Sequence, residues 1–278
     1  MGVATAVEFR KRPGVKRVRR FGILAAILVP AGWLLPVPTA ILVGCGVIDV
    51  LRHRHISMQL LEHYFAGNGI LTWVLSPLNL LADLLSYRTP GVCRFDDLPA
   101  THCAEIEACT QALIENAALV KAHVASSLAA HRRGMFTFKW YSQPQAPALR
   151  IPAFEREYRF IKTIALSVFN TRESTKWHFG PLRFTYRVLF NLDPVDSRDV
   201  FIEVDGHRRY WTDDPLFIFD DTYFHRSVND VDHVRYCLFM DIVRPNRCHA
   251  VFDWAVHTIS LISASFQRMF YKNWSFLR

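Results

Sequence analysis

The chain has 278 residues, of which 51% are hydrophobic and 21% charged, and its formal net charge is +8. This hydrophobic content excludes a chain too polar to form a core, and the length allows one large domain or two small ones. Six cysteines form neither a C-x-x-C pair nor a regular framework, which argues against a disulfide scaffold and favours reduced thiols in the cytoplasm.

The first element is a basic block that leads into a long apolar run. Residues 8–20 hold seven Lys and Arg against one Glu, and residues 21–51 carry no charge before Asp49. About 20 apolar residues suffice to span a bilayer, and Pro36 and Pro38 split this run in two. The pattern favours lipid over nucleic acid as the partner of the block. It predicts a re-entrant helical hairpin with both ends cytoplasmic, or one tilted span; a buried hairpin of a soluble protein is the alternative.

Two further stretches have an amphipathic character. Residues 69–87 carry Pro77 and Asp83 within an apolar run, which favours an interfacial or groove-lining segment. The C-terminal stretch, 252–278, mixes aromatic and basic residues. It is either a membrane-surface segment or a helix packed on the domain.

A helix and then a series of strands follow the N-terminal region. Residues 103–134 are alanine-rich with helical spacing, and predict a helix that ends before Gly134. The runs after it are IKTIALSVF, FTYRVLFNL, DVFIEVDG, HRRYW, PLFIFDD and HVRYCLFMDIV. Closely spaced strands with no helix between them predict an antiparallel sandwich or barrel. In FTYRVLFNL one face is apolar and the other carries Arg187, so the second face either lines a ligand cavity or meets solvent.

Two histidines are candidate metal ligands. His178 precedes four strand candidates and His225 follows them. This separation does not fit a local zinc-finger motif, but a jelly-roll barrel brings together ligands from distant strands. Two histidines with open coordination positions suit a non-haem Fe(II) oxygenase.

Residues 135–245 resemble the aspartyl/asparaginyl β-hydroxylase family, and within it the bacterial lipid A acyl-chain 2-hydroxylases. The resemblance rests on several motifs that occur in the family's order and spacing. They are FKWY at 138–141, H-x-G-P at 178–181, E-V-D-G at 203–206, Trp211, F-D-D-T-Y-x-H at 219–225, Arg235, and D-I-x-R-P at 241–245. Together they are specific, whereas each alone is weak.

The resemblance implies a mainly β, double-stranded β-helix (jelly-roll) domain with flanking helices, and an Fe(II)- and 2-oxoglutarate-dependent dioxygenase that uses O2. His178 and His225 match the two iron-ligand histidines. Arg235 matches the arginine that binds the far carboxylate of 2-oxoglutarate, a role that suits a planar guanidinium. Ser167 matches a serine that also holds this co-substrate, and Arg187 an arginine near it.

Two substitutions and one acidic pair bear on this resemblance. Gly180 stands where bacterial relatives often have an aspartate, although animal members of the family also have glycine there. Leu189 replaces a histidine that helps to bind 2-oxoglutarate. Losing such a buried hydrogen-bond partner costs about 1–3 kcal/mol, which predicts about tenfold to a hundredfold weaker binding. The Asp220–Asp221 pair serves either the turn or the orientation of His225.

The expected protein has a basic N-terminus and membrane-associated hairpin over residues 1–90, and a hydroxylase domain over 91–278. It would lie at the inner membrane with the catalytic domain facing the cytoplasm. We expect it to hydroxylate an acyl chain of lipid A or a related lipid such as an ornithine lipid. The alternatives are a peptide Asp/Asn β-hydroxylase and a non-catalytic lipid-binding relative.

Overall fold

The computed structural model describes residues 13–87, 90–128, 131–145, 149–270 and 275–277. Contacts within the chain divide it into two compact units. The described residues up to Pro77 form the first unit, and those from Leu78 onward form the second.

The first unit is helical. Its helices are α1 (Pro13–Leu34), α2 (Pro36–Val50), α3 (Met58–Ala66) and α4 (Ile70–Val74). Leu35 separates α1 from α2, because its backbone leaves the helical conformation immediately before Pro36. Within the described part of the chain, no helix combines the length and apolarity that a membrane crossing requires.

The second unit contains the remaining helices and the strands. The helices are α5 (Ser76–Leu85, which begins at the boundary), α6 (Ala100–Glu115), α7 (Ala117–Leu128), α8 (Pro152–Glu155) and α9 (His249–Phe270), with a 3-10 turn over Phe95–Asp97. The strands are β1 (Val92–Cys93), β2 (Arg133–Trp140), β3 (Gln143–Pro144), β4 (Ile161–Phe169), β5 (Glu173–Ser174), β6 (Thr185–Asn191), β7 (Val200–Val204), β8 (His207–Tyr210), β9 (Leu216–Phe219), β10 (His225–Asn229), β11 (Arg235–Val243) and β12 (Ser275–Leu277).

The described strands form two sheets. The large sheet has eight strands in the order β1-β9-β6-β11-β4-β2-β12, with β3 on β2; the small sheet has the order β5-β10-β7-β8. All pairings are antiparallel except β12 with β2. The second unit is therefore mainly β with antiparallel sheets, as the sequence predicts.

Two apolar cores lie on opposite faces of the large sheet. The outer core joins the sheet to α6, α7 and α8 through residues such as Leu113, Val124 and Val188. The inner core joins it to the small sheet, and includes Leu189 of β6 and Ile202 of β7. The face of β6 that carries Arg187 thus points between the sheets and not to solvent.

Two features differ from the sequence prediction. The single helix expected over 103–134 is two helices, because Asn116 leaves the helical conformation and its side-chain amide donates to the carbonyl of Ala112 (2.8 Å). The run that contains FKWY is strand β2, which the pattern did not predict. The C-terminal stretch begins within α9, where Phe252 and Val256 are buried.

Candidate active site

His178 and His225 lie side by side where strand β10 of the small sheet begins. His225 opens β10, and His178 pairs with it in an isolated antiparallel bridge. The backbone N–H of each histidine donates to the carbonyl of the other, at 2.9 and 3.0 Å. The ring centroids are 4.1 Å apart. The predicted pair is therefore brought together by backbone pairing.

Each imidazole has the same hydrogen-bond arrangement. Nδ1 of His178 lies 2.8 Å from the carbonyl of Lys176, and Nδ1 of His225 lies 2.8 Å from the carbonyl of Tyr223. A carbonyl only accepts, so Nδ1 carries the proton and Nε2 keeps its lone pair in the neutral ring. Burial lowers the pKa of His178 to about 4 and that of His225 well below its usual value. Two neutral rings with available Nε2 atoms are suited to a divalent metal.

Aromatic packing holds the two segments together. The ring of Phe224 stacks with Trp177 and with Phe179, at centroid distances of 4.8 Å in both cases. Phe224 precedes His225, and the other two residues flank His178 in sequence. These contacts fix the approach of the histidine-bearing segments, since stacked aromatic pairs stabilise each other beyond their burial.

A carboxylate occupies the space beside Gly180. A Cβ atom at this position would lie 2.2 Å from the carboxyl carbon of Asp221, so any side chain here would displace it. Asp221 also pairs with Nη2 of Arg187 at 2.8 Å, and Nε of Arg187 donates to Asp241 at 2.7 Å. Burial raises the pKa of Asp221 to about 7. The aspartate missing at 180 is thus replaced in space by one from the turn before His225.

Arg187 is consequently engaged by protein groups. Its Nε and Nη2 atoms each bind a carboxylate, and its Cζ atom lies 3.9 Å from the ring centroid of Phe239. The structure brings this predicted co-substrate residue next to Asp221, and through Asp221 to Gly180. Arg187 therefore orients the carboxylate of Asp221.

Arg235 is a buried cation with vacant hydrogen-bonding capacity. Its Nη2 donates to Ser227 at 2.8 Å, whereas Nε and Nη1 are buried and have no partner among the described residues. Its guanidinium lies 4.3 Å from the ring centroid of Phe169, and burial lowers its pKa to about 10. A buried guanidinium without a counter-ion is an incomplete arrangement that an anion such as a carboxylate would complete.

Ser167 faces the same interior as Arg235. It lies opposite Cys237 in the register of β4 and β11, and Cys237 and Arg235 are on one face of β11. Leu189 lies between Phe217 and Phe239 in the same register, so its position is wholly apolar.

The sequence predicted these residues better than it predicted their partners. The roles of Ser227 as a partner of Arg235 and of Asp241 as a partner of Arg187 were not predicted, because strand alternation shows which face a residue occupies but not what lies across the sheet. In the described residues, no group of three or more His, Cys, Asp or Glu side chains forms a metal-binding cluster. Asp220 accepts from the N–H (2.9 Å) and hydroxyl (2.6 Å) of Thr222, so it serves the turn.

Comparisons with known proteins identify relatives. Over 105 residues, the chain is 30% identical to the ornithine lipid ester-linked acyl 2-hydroxylase of Rhizobium tropici; the match covers 37% of each protein, well under two thirds of that relative. A 2OG-Fe(II) oxygenase family oxidoreductase from Burkholderia pseudomallei is 12% identical with a TM-score of 0.25, covering 34% of this chain and 52% of that one. A prolyl-4-hydroxylase from Pseudomonas putida is 13% identical with a TM-score of 0.25, covering 30% and 52%. Structural similarity at TM-scores this low does not support an inference about function.

The family comparison covers more of the molecule. The model of the Aspartyl/Asparaginyl beta-hydroxylase family matches residues 105–245, which is half of the chain. This range contains the histidine pair, Arg235 and every motif of the resemblance. The chain belongs to the aspartyl/asparaginyl β-hydroxylase family.

Proposed function

We propose that this protein is a membrane-anchored, Fe(II)- and 2-oxoglutarate-dependent dioxygenase that hydroxylates an acyl chain of a membrane lipid. The observation that carries the proposal is the combination of two neutral histidines with a buried, incompletely paired Arg235 in one interior. The first feature suits a metal ion and the second suits the carboxylate of a co-substrate.

The residues that would hold the metal are His178 and His225, each through Nε2. Their Nδ1–H groups are fixed by backbone carbonyls, so neither ring has to change its tautomer when it binds a metal. Asp221, held by Arg187, lies beside Gly180, which is two residues after His178 in sequence. Bound Fe(II) and 2-oxoglutarate would supply the oxidation of an unactivated C–H bond by O2, with succinate and CO2 as co-products.

The protein would bind and orient the co-substrate and exclude water. The two unpaired nitrogens of Arg235 would donate to the far carboxylate of 2-oxoglutarate, and the Ser167 hydroxyl would add a third donor. Trp211, Phe217 and Phe239 contribute apolar walls to the interior. Such walls keep bulk water from the reacting C–H bond.

The two facing sheets and their sequence of strands support a double-stranded β-helix. The small sheet carries both ends of the His178–His225 segment: β5 lies just before His178, and β10 begins at His225. The chain between them passes through β6 in the large sheet, β7 and β8 in the small sheet, and β9 in the large sheet again. A jelly roll brings distant ligands together in this manner.

A membrane anchor is supported by the surface of the first unit. Trp33, Leu34, Leu35 and Val37 lie at the α1–α2 junction and are 60–88% exposed. Basic residues, including those of residues 8–20, precede this apolar region, and LRHRH follows it. Apolar groups at a helical junction with cations at the outer ends suit insertion into the cytoplasmic leaflet of an anionic inner membrane, with the catalytic unit in the cytoplasm.

The proposed substrate class is supported by the proposed anchor and by the named relative. The curated relative is an acyl 2-hydroxylase of an ornithine lipid, and an acyl chain is accessible to a site held at the membrane. Lipid A and aminolipids such as ornithine lipids both offer such a chain. We propose hydroxylation at carbon 2 of an acyl chain in one of these two lipid classes.

The test is mass spectrometry of total lipids from two hosts, one expressing the native chain and one expressing His225→Ala. The proposal expects a lipid species that gains one oxygen only with the native chain, and the head group of that species identifies the class. Both proteins must be present in the membrane fraction at equal levels. An unchanged lipid profile under that condition would overturn the lipid assignment in favour of a peptide substrate or a binding role.

A further inference from the structure

Arg183 is a wholly buried charge near the candidate site. It lies five residues after His178, in the loop before β6, and has an exposed fraction of 0%. A buried guanidinium is costly unless acids and hydrogen bonds surround it. The hydrogen-bond and ion-pair partners of Arg183 therefore show which segments of the fold its side chain holds together.

The side chain of Arg183 reaches the turn that precedes His225. Its Nε donates to Oγ1 of Thr222 at 3.1 Å and lies 3.4 Å from a carboxylate oxygen of Asp220. The Thr222 hydroxyl in turn donates to Asp220 at 2.6 Å. The backbone of Arg183 thus continues from one histidine, while its side chain binds the turn that leads into the other.

Helix α5 anchors this arginine. Asn79 and Asp83, one helical turn apart, both face it. The backbone N–H of Arg183 donates to Asn79 at 3.0 Å, and the Asn79 amide donates to the carbonyl of Pro181 at 3.1 Å. Asp83 accepts from Nη1 of Arg183 at 2.6 Å and from Nη1 of Arg244 at 2.8 Å. The helix therefore fixes both the loop after His178 and the direction of the arginine fork.

We propose that Arg183 is a positioning residue that sets the relation between His178 and His225, with Asp83 as the anchor that orients it. This inference rests on the proposed function, since the histidine pair must bind a divalent metal for the relation to matter. Among the described residues, Arg183 does not contact either histidine ring. It acts through Thr222 and the turn that precedes His225. Its effect is therefore on metal affinity.

The test is titration of the whole 278-residue chain with Co(II) in the absence of O2, followed by the visible absorption of the bound ion. Thr222→Val removes the hydroxyl that accepts from Arg183, whereas Thr222→Ser keeps it. We expect the valine variant to bind Co(II) roughly 10- to 100-fold more weakly than the serine variant. Asp83→Asn, at a side chain that is 33% exposed, tests the anchor without removing the buried arginine, and is expected to weaken binding in the same direction.

The control is Arg172→Gln, which removes an exposed arginine paired with Asp232 and is expected to bind like the native protein. Circular dichroism checks that each variant is folded. Equal Co(II) affinity in the native protein, Thr222→Val and Asp83→Asn would overturn the positioning role alone. Native-like binding by a His178→Ala/His225→Ala double variant would instead overturn the metal site, and with it the proposed function.

Discussion

The guanidinium of Arg235 lies in the interior with one hydrogen bond, to Ser227, and with two nitrogens that no described residue accepts from. A buried charge in this condition costs several kcal/mol relative to an apolar side chain of similar size. Arg235 therefore lowers the free energy of unfolding of the protein without ligand. Such a cost is expected where a residue is kept for binding a ligand.

Replacing Arg235 by methionine should consequently change stability and binding in opposite directions. We expect Arg235→Met to unfold at a higher temperature than the native protein without ligand, because the unpaired charge is gone. With Co(II) present and 2-oxoglutarate at about 100 times its Kd, the native protein should gain about 2.7 kcal/mol, and the variant none. Thermal unfolding measured with and without co-substrate checks both.

Arg198→Gln is the matched control for this prediction, because Arg198 pairs with Asp213 at the surface. It should show the native response to 2-oxoglutarate. A full stabilising response in Arg235→Met would refute the assignment of this arginine to the co-substrate.

Gly180 and Asp221 share one space, so their side chains are coupled. Gly180→Asp should lower the free energy of unfolding by about 1–3 kcal/mol, because the new side chain would overlap Asp221. Adding Asp221→Gly should recover part of this loss, since Arg187 can then pair with the carboxylate at position 180. Urea unfolding of the two variants and the native protein measures these differences in the free energy of unfolding. A Gly180→Asp variant as stable as the native protein would contradict the overlap of the two side chains.

At the scale of elements, local pattern predicted the strands of the sheets well and their partners poorly. The alternation in FTYRVLFNL indicates which residues of β6 share a face, and the structure puts Val188 in the outer core and Leu189 in the inner core. The break between α6 and α7 was missed because Asn116 is a mild helix breaker whose effect comes from its bond to Ala112.

Long-range contacts account for the rest of what the sequence did not predict. The contact of Asp221 with Gly180, and the binding of Arg187 by Asp221 and Asp241, join residues far apart in the chain. No local periodicity reports such pairs. The motif that contains Asp221 was evident, but two roles remained open for its aspartates until the geometry of the turn was known.

The junction of α1 and α2 is the element whose role is most directly testable. Trp33 is 88% exposed and Leu34 76%, so neither supports the described fold by burial. Trp33→Asp/Leu34→Asp should therefore leave the protein folded and weaken its membrane binding. A charge in the apolar layer costs up to about 2.5–3.5 kcal/mol.

Flotation with vesicles of phosphatidylethanolamine and phosphatidylglycerol measures this binding. Ile114→Asp, on α6 and 48% exposed, is the control for adding an acidic residue at an apolar surface position. The control should float with the vesicles as the native protein does. Equal flotation of the double aspartate variant would show that the junction does not insert.

At the scale of the whole molecule, the chain joins an apolar helical unit and a mainly β unit that contains the candidate site. The formal net charge of +8 suits binding to an anionic membrane surface. The apolar unit has no evident use for a hydroxylase that acts on soluble peptides. The proposed action on a membrane-held acyl chain would account for the occurrence of the two units in one protein.

The most direct test of this account is turnover of the purified 278-residue chain in lipid vesicles under ¹⁸O2, with Fe(II) and 2-oxoglutarate. The account predicts one ¹⁸O atom in a hydroxylated acyl chain and one in succinate, with neither product formed by His178→Ala. Labelled succinate without a labelled lipid would contradict the lipid substrate. A lipid hydroxyl that carries no ¹⁸O would contradict the dioxygenase chemistry.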